Sequence, residues 1–233
     1  MTIDVQHLTK TYGHRTVLDV PAFHVGAGAI VGLVGSNGAG KSTFLRLLLD
    51  LLDPSTGDVQ LGGLSVRRTD AWKKHTGSYL DATFLIDFLT ADEYFDFIGS
   101  LYGFTSEQTR QALRPFQSFY PDEPFGKTTR LLRDLSLGNA KKIGIIAAMF
   151  VRPRLLILDE PFANLDPPSQ LRLRKLLRDL HAAYGTTILL SSHDLTHVTD
   201  VCRRIVVLDG GRIVKDTETT PDILKELEGY FSG

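Results

Sequence analysis

Cysteine occurs once in 233 residues, at Cys202. No disulfide can form within the chain, and a lone thiol fits a small buried hydrophobe in a reducing compartment better than a nucleophile. Charge of one sign is not in excess either, with 26 Lys and Arg against 27 Asp and Glu. That balance removes the general attraction that holds nucleic acid or anionic lipid, so no nucleic-acid partner is expected. Long apolar runs are missing too: the longest, 143–151 with Gly144 included, falls far short of the about 20 residues a helix needs to cross a bilayer. Any role at a membrane therefore comes through a partner chain. The first ten residues lack the apolar core of a secretory leader, and neither internal repeats nor low-complexity tracts occur.

What is present is ordinary globular material, 42% hydrophobic and 23% charged, in a chain long enough to bury about 70% of its surface. Short apolar runs at 29–34, 155–158, 187–190 and 205–208 resemble buried strands and alternate with helical segments, which predicts a parallel sheet with helices on its faces. Strand signals at 3–6, 16–25, 57–61 and 212–215 predict an antiparallel fringe. Between 87 and 151 the strand signal vanishes, and 91–102, 106–119 and 138–150 carry helical periodicity. The organisation expected is one domain over 1–233, with a core of 1–86 and 152–233 and an inserted helical subdomain of 87–151. Asp166 is placed to cap a helix that opens on Pro167 and Pro168 and runs to about Tyr184.

The chemistry begins at Gly35-Ser36-Asn37-Gly38-Ala39-Gly40-Lys41-Ser42-Thr43, a phosphate-binding loop between a strand and a helix over 42–52. Glycines let the backbone N–H groups curl toward phosphates, Lys41 reaches the terminal oxygens, and Ser42 supplies an oxygen for Mg²⁺. Gly126-Lys127-Thr128 resembles the tail of the same motif but lacks its upstream glycine and strand, and is a loop. The Gly-rich run before Gly35 lacks the spacing of a dinucleotide fingerprint. A metal-bound nucleotide also needs a carboxylate on a neighbouring strand, and Asp159 closes the apolar run 155–158. Glu160, next in the chain, is placed to orient or deprotonate the water that attacks the terminal phosphate.

With these motifs in order, the chain resembles the nucleotide-binding domain of ATP-binding cassette (ABC) proteins over nearly its whole length. Leu135-Ser136-Leu137-Gly138-Asn139 resembles the family's signature segment, matching at Leu135, Ser136 and Gly138 and departing at Leu137 and Asn139. The resemblance implies that Tyr12 stacks on adenine, that 164–166 signals between two active sites, and that His193 contacts the terminal phosphate. The spacing of His193 and His197 also fits a zinc pair, but Asp194 stands where a zinc protease has Glu and no third ligand is evident. The usual glutamine or glutamate of the loop entering the helical subdomain has its nearest equivalent in Asp81, one methylene shorter, as a metal or water contact.

The resemblance implies a fold and a mechanism: α/β, a P-loop NTPase core with a mainly parallel sheet, an antiparallel β fringe and an inserted α-helical subdomain. It implies ATP and Mg²⁺ as cofactors and a second cassette, packed head to tail, whose Ser136 and Gly138 complete the site held by Lys41. It further implies an ATPase subunit of a transporter, of bacterial exporter type. Such a subunit works at the cytoplasmic face of the membrane, peripheral through a separate transmembrane permease. Phe84, Phe88, Tyr94, Phe95 and Phe97 mark the groove where that permease would dock, unless they are local core. A soluble ABC ATPase of DNA, ribosome or iron-sulfur work, or a regulatory module without turnover, stands as the alternative.

Overall fold

The computed structural model describes residues 1–220; the last part of the expected core, 221–233, lies outside the described residues. In chain order the elements are strand β1 (Ile3–Tyr12), β2 (Arg15–Val25), β3 (Ile30–Val34), helix α1 (Lys41–Leu48), β4 (Thr56–Leu61), β5 (Leu64–Ser65) and β6 (Thr76–Tyr79). Helices α2 (Ala91–Leu101), α3 (Ser106–Leu113) and α4 (Leu137–Phe150) follow, then β7 (Leu155–Leu158), α5 (Pro167–Tyr184), β8 (Thr187–Ser192), α6 (Leu195–Thr199), β9 (Arg204–Asp209) and β10 (Arg212–Glu218).

The strands form two sheets, one of order β2-β1-β4-β5 and one of order β10-β9-β3-β8-β7-β6. The first is antiparallel throughout. In the second, β9, β3, β8, β7 and β6 run parallel and β10 closes the edge antiparallel. This is the mainly parallel α/β fold with an antiparallel fringe.

The apolar runs read as buried strands because both sheet faces are covered. Alternate residues enter two separate cores. Ile30, Val34, Leu156, Leu158, Ile188, Leu190, Ile205 and Val207 join α2, α4 and α5 on one face. Val31, Leu33, Leu155, Ile157, Leu189, Val206 and Leu208 meet α1 and the inner face of the first sheet on the other. Helix α1 is thus wedged between the two sheets, which fixes the direction in which its N-terminus points. Cys202 is buried, and burial pushes its thiol well above the usual range, as suits a hydrophobe rather than a nucleophile.

Several expected boundaries move for local reasons. Helix α1 stops at Leu48 rather than Leu52: Asp50 turns to φ 55°, and the Leu51 amide folds back onto the Arg46 carbonyl at 2.9 Å. Helix α3 ends at Leu113 rather than near Phe119, giving way to a 3-10 turn at Arg114–Phe116 that contains Pro115, which has no N–H to continue the ladder. Strand β6 was not visible as a strand in the sequence. Among the described residues, no helix is long and apolar enough to cross a membrane.

Candidate functional site

Strand β3 delivers the chain into the loop 35–40, and Gly40 adopts φ 107° as the residue before α1, a conformation that favours glycine. The loop closes on itself through the Ala39 amide and the Ser36 carbonyl at 3.1 Å, and the Gly211 amide donates to the Ala39 carbonyl at 2.9 Å. A cavity of about 220 Å³ lies over it, lined by Ser36, Asn37, Gly38, Gly40, Lys41, Ser42, Thr43 and Glu160. Lys41 is only 6% exposed. Its ammonium donates to the Gly35 carbonyl at 2.6 Å and the Ser36 carbonyl at 3.3 Å, and meets Glu160 Oε1 at 3.4 Å.

Glu160 arrives from the other side, at the carboxyl end of β7. The Asp159 amide donates to the Tyr79 carbonyl at 2.8 Å, so β6 anchors the strand end. Glu160 itself takes φ 46°, a left-handed conformation that costs a non-glycine residue on the order of 1 kcal/mol. Its Oε1 faces Lys41 while its Oε2 accepts from His193 Nδ1 at 2.8 Å and from the His193 amide at 3.4 Å. A carboxylate partner assigns the proton to Nδ1 and leaves Nε2 of His193 directed elsewhere.

Ser191, on β8, was not singled out by its residue type. Its hydroxyl donates a short hydrogen bond to buried Asp159 and accepts from the Glu160 amide at 2.9 Å. A serine ending an apolar strand gives no local signal; only the pairing of β7 with β8 puts it there.

The oxygens and donors assembled here match a metal-bound nucleotide. Backbone N–H groups of the loop and the Lys41 ammonium suit phosphate. The Ser42 hydroxyl and the Asp159 carboxylate are the hard oxygen donors that Mg²⁺ takes together with phosphate oxygens.

The ABC transporter family model matches residues 18–163, which include the loop, Asp159 and Glu160. The chain belongs to the ABC transporter family. This ABC cassette is 33% identical over 92% of its length to the bacitracin transport ATP-binding protein BcrA of Enterococcus faecalis, covering 68% of that protein. It is 32% identical over 97% of its length to the Nod factor export ATP-binding protein I of Paraburkholderia xenovorans, covering 73% of it. A relative named for import, the methionine import ATP-binding protein MetN of Carboxydothermus hydrogenoformans, is 29% identical over 94% of the cassette and 66% of its own length. A solved ATP-binding subunit of an ABC transporter superposes at TM-score 0.83 and 27% identity, over 98% of the cassette and 94% of that chain. The cassette is an ATP-binding subunit and an ATPase.

The remaining expected residues sit apart from this cavity. Tyr12 is exposed, with the Lys10 ammonium 4.9 Å over its ring centroid. Ser136 caps α4, its hydroxyl accepting from the Asn139 amide at 3.3 Å, and Ser136 and Gly138 lie outside the lining of the loop cavity. Asp81 is engaged elsewhere: its carboxylate caps the turn Ala82–Phe84 by accepting from the amide and hydroxyl of Thr83, and meets Arg46 at 3.6 Å. His193 and His197 have different partners, since His197 stacks on Phe162 and bonds to Arg174 at 2.9 Å. The loop at Gly126-Lys127-Thr128 is pinned by the Asp92 carboxylate at the start of α2. The aromatics of the expected groove divide: Tyr94 and Phe95 are core, while Phe84, Phe88 and Phe97 are exposed.

Proposed function

We propose that this cassette couples ATP hydrolysis to export through a separate transmembrane permease, and that it works as a pair of cassettes. The observation that carries the chemistry is Glu160, held between Lys41 and His193 at the mouth of the loop cavity. In this reading Lys41 and the amides of 35–43 hold the phosphates, and Glu160 accepts a hydrogen bond from the attacking water and receives its proton. His193, oriented by Glu160, turns its Nε2 toward the terminal phosphate. Ser42 and Asp159 would hold Mg²⁺, which when bound neutralises phosphate charge. Asp81 is left out of that set because Thr83 and Arg46 occupy its carboxylate. Tyr12 stacks on the adenine, and Ser136 and Gly138 of a second cassette complete the phosphate site.

The division into a core of 1–86 and 152–233 and a helical subdomain of 87–151 is part of the same proposal, supported by α2, α3 and α4 lying between β6 and β7 in the chain. A groove of about 270 Å³, walled by Leu51, Phe84, Leu85, Ile98 and Leu101, opens between them and is the proposed seat of the permease at the cytoplasmic face of the membrane. The export direction rests on the relative named for Nod factor export, with relatives named for import close behind.

Extraction of the tagged protein in mild detergent should bring with it a polytopic membrane protein. In that complex Glu160→Gln should cut ATP turnover to a small residual rate, with ATP still bound. Recovery in the soluble fraction beside ribosomal, DNA-repair or cluster-assembly proteins would overturn the transport reading, and full turnover by the Gln form would overturn the role of Glu160.

A further inference from the structure

Lys141 lies on the second turn of α4 and is only 7% exposed. Its ammonium meets no carboxylate within ion-pair distance among the described residues; instead it donates to the Glu160 carbonyl at 2.9 Å and the Ala163 carbonyl at 2.8 Å. Burial pulls the pKa of this amine down, with Glu160 and Asp159 opposing that pull. Burying an ammonium against carbonyls alone is costly, so its presence calls for a task. What it holds is unusual backbone. Glu160 stands at φ 46° and Asn164 at φ 62°, both left-handed and neither glycine. Lys141 thus holds two carbonyls of the tight loop that also carries the Glu160 carboxylate.

Neighbouring contacts tie the same two pieces together. Lys142 meets Asp166 at 3.6 Å. Gly138 packs so closely that a Cβ there would stand 3.2 Å from the Asn164 carbonyl oxygen. The first two turns of α4 and the loop 160–166 are therefore bound as one piece, with Lys141 as the member that touches Glu160 directly.

We propose that Lys141 is a positioning residue for hydrolysis: by holding the Glu160 and Ala163 carbonyls it fixes the left-handed backbone that aims the Glu160 carboxylate at Lys41, His193 and the attacking water. This inference rests on the reading of Glu160 as the group that orients that water. Removing the ammonium takes the side-chain donor from the Ala163 carbonyl and leaves the Glu160 carbonyl only the Ala163 amide at 3.3 Å, and the backbone relaxes toward an ordinary conformation. The carboxylate then swings out of line without any change in the residues that hold phosphate.

The test is a double-mutant cycle on the full chain, with Lys141→Met, Glu160→Gln and both together. Steady-state ATPase with Mg²⁺ and single turnover with labelled ATP resolve the residual rates. Lys141→Met should lower kcat between about tenfold and a hundredfold. The KM for ATP and the affinity for ADP should stay within about threefold, since phosphate binding is uniform to ground and transition states. In the Glu160→Gln background the same change should cost nothing further, because Lys141 acts through that carboxylate. If Lys141→Met does not fold, Lys141→Leu carries the cycle, and Lys141→Gln, which keeps N–H donors on a shorter stem, should restore part of the lost rate.

A wild-type kcat in Lys141→Met beside an inactive Glu160→Gln would overturn the positioning role and leave Glu160 in place. Equal cost in both backgrounds, or a loss of nucleotide affinity that matches the loss of rate, would make Lys141 a general structural residue. Full turnover by Glu160→Gln alone would remove the reading of Glu160 and this inference with it.

Discussion

Tyr12 shows how one side chain can be prepared on one face and open on the other. The residue is 55% exposed, and the Lys10 ammonium that lies 4.9 Å over the ring centroid is itself tied to the Asp53 carbonyl at 2.7 Å. One π face is thus covered by a fixed cation, and the proposed adenine would stack on the other. Stacking on an aromatic ring contributes about 1–3 kcal/mol per base and is indifferent to the hydrogen-bonding edge. Tyr12→Ala should weaken ATP and GTP alike, by about tenfold, and Tyr12→Phe should restore both; calorimetry that finds either nucleotide unaffected by the Ala change would return Tyr12 to an ordinary loop residue. At this scale legibility follows how local the signal is. Lys41, Ser42, Asp159 and Glu160 can be proposed from sequence because their signals are contiguous, a glycine loop or a strand end. Ser191 and the grip of Lys141 were not, because each depends on a neighbour about thirty or twenty positions away that only β-pairing and helix packing bring near. Asp81 was read by its place in a loop, and the hydroxyl of Thr83 two residues on decided its orientation instead.

Elements were legible where packing reinforces the periodic pattern and obscure where packing needs a small residue. The parallel strands β3, β7, β8 and β9 are buried on both faces and declare themselves as apolar runs. Strand β6 sits at the sheet edge against α4, and its sequence is Thr-Gly-Ser-Tyr. Gly77 explains the missing signal: a Cβ there would lie 2.0 Å from the Ala148 carbonyl oxygen in α4, so the helix approaches the strand only across a bare backbone. That close approach matters for the site, since the Tyr79 carbonyl at the end of β6 accepts from the Asp159 amide. Gly77→Ala forces backbone against backbone, which no rotamer change relieves, and should cost about 1–3 kcal/mol. For a chain of this size that lowers the thermal midpoint by roughly 2–4 °C per kcal/mol. A melt at the wild-type midpoint would show that α4 can withdraw without loss, and that the strand-helix contact is looser than its geometry.

At the scale of the whole molecule, Ser136 and Gly138 at the start of α4 do not line the cavity over the phosphate loop of their own chain. The mainly parallel class of the sheet is legible from the alternation of apolar runs with helical segments, while its strand order and the edge strand β6 are not. The arrangement of two half-sites was carried by family resemblance alone, because no single chain's periodicity encodes what a second copy supplies. In the structure Ser136 is exposed at the start of α4 and Leu137 beside it is 60% exposed, a leucine facing solvent where the helix begins. Both facts are consistent with a surface that another cassette covers when ATP is bound. Glu160→Gln, slow to hydrolyse and freed of the Glu160 charge that competes for Lys41, should then sediment as a dimer at saturating ATP and as a monomer without it. Adding Ser136→Arg puts a long cation between the signature helix and the partner's phosphates, and should return the protein to monomer while each chain still binds ATP at its own loop. A Glu160→Gln protein that stays monomeric at saturating ATP, or a Ser136→Arg form that dimerises equally well, would mean that hydrolysis in this cassette does not pass through a site shared between two chains.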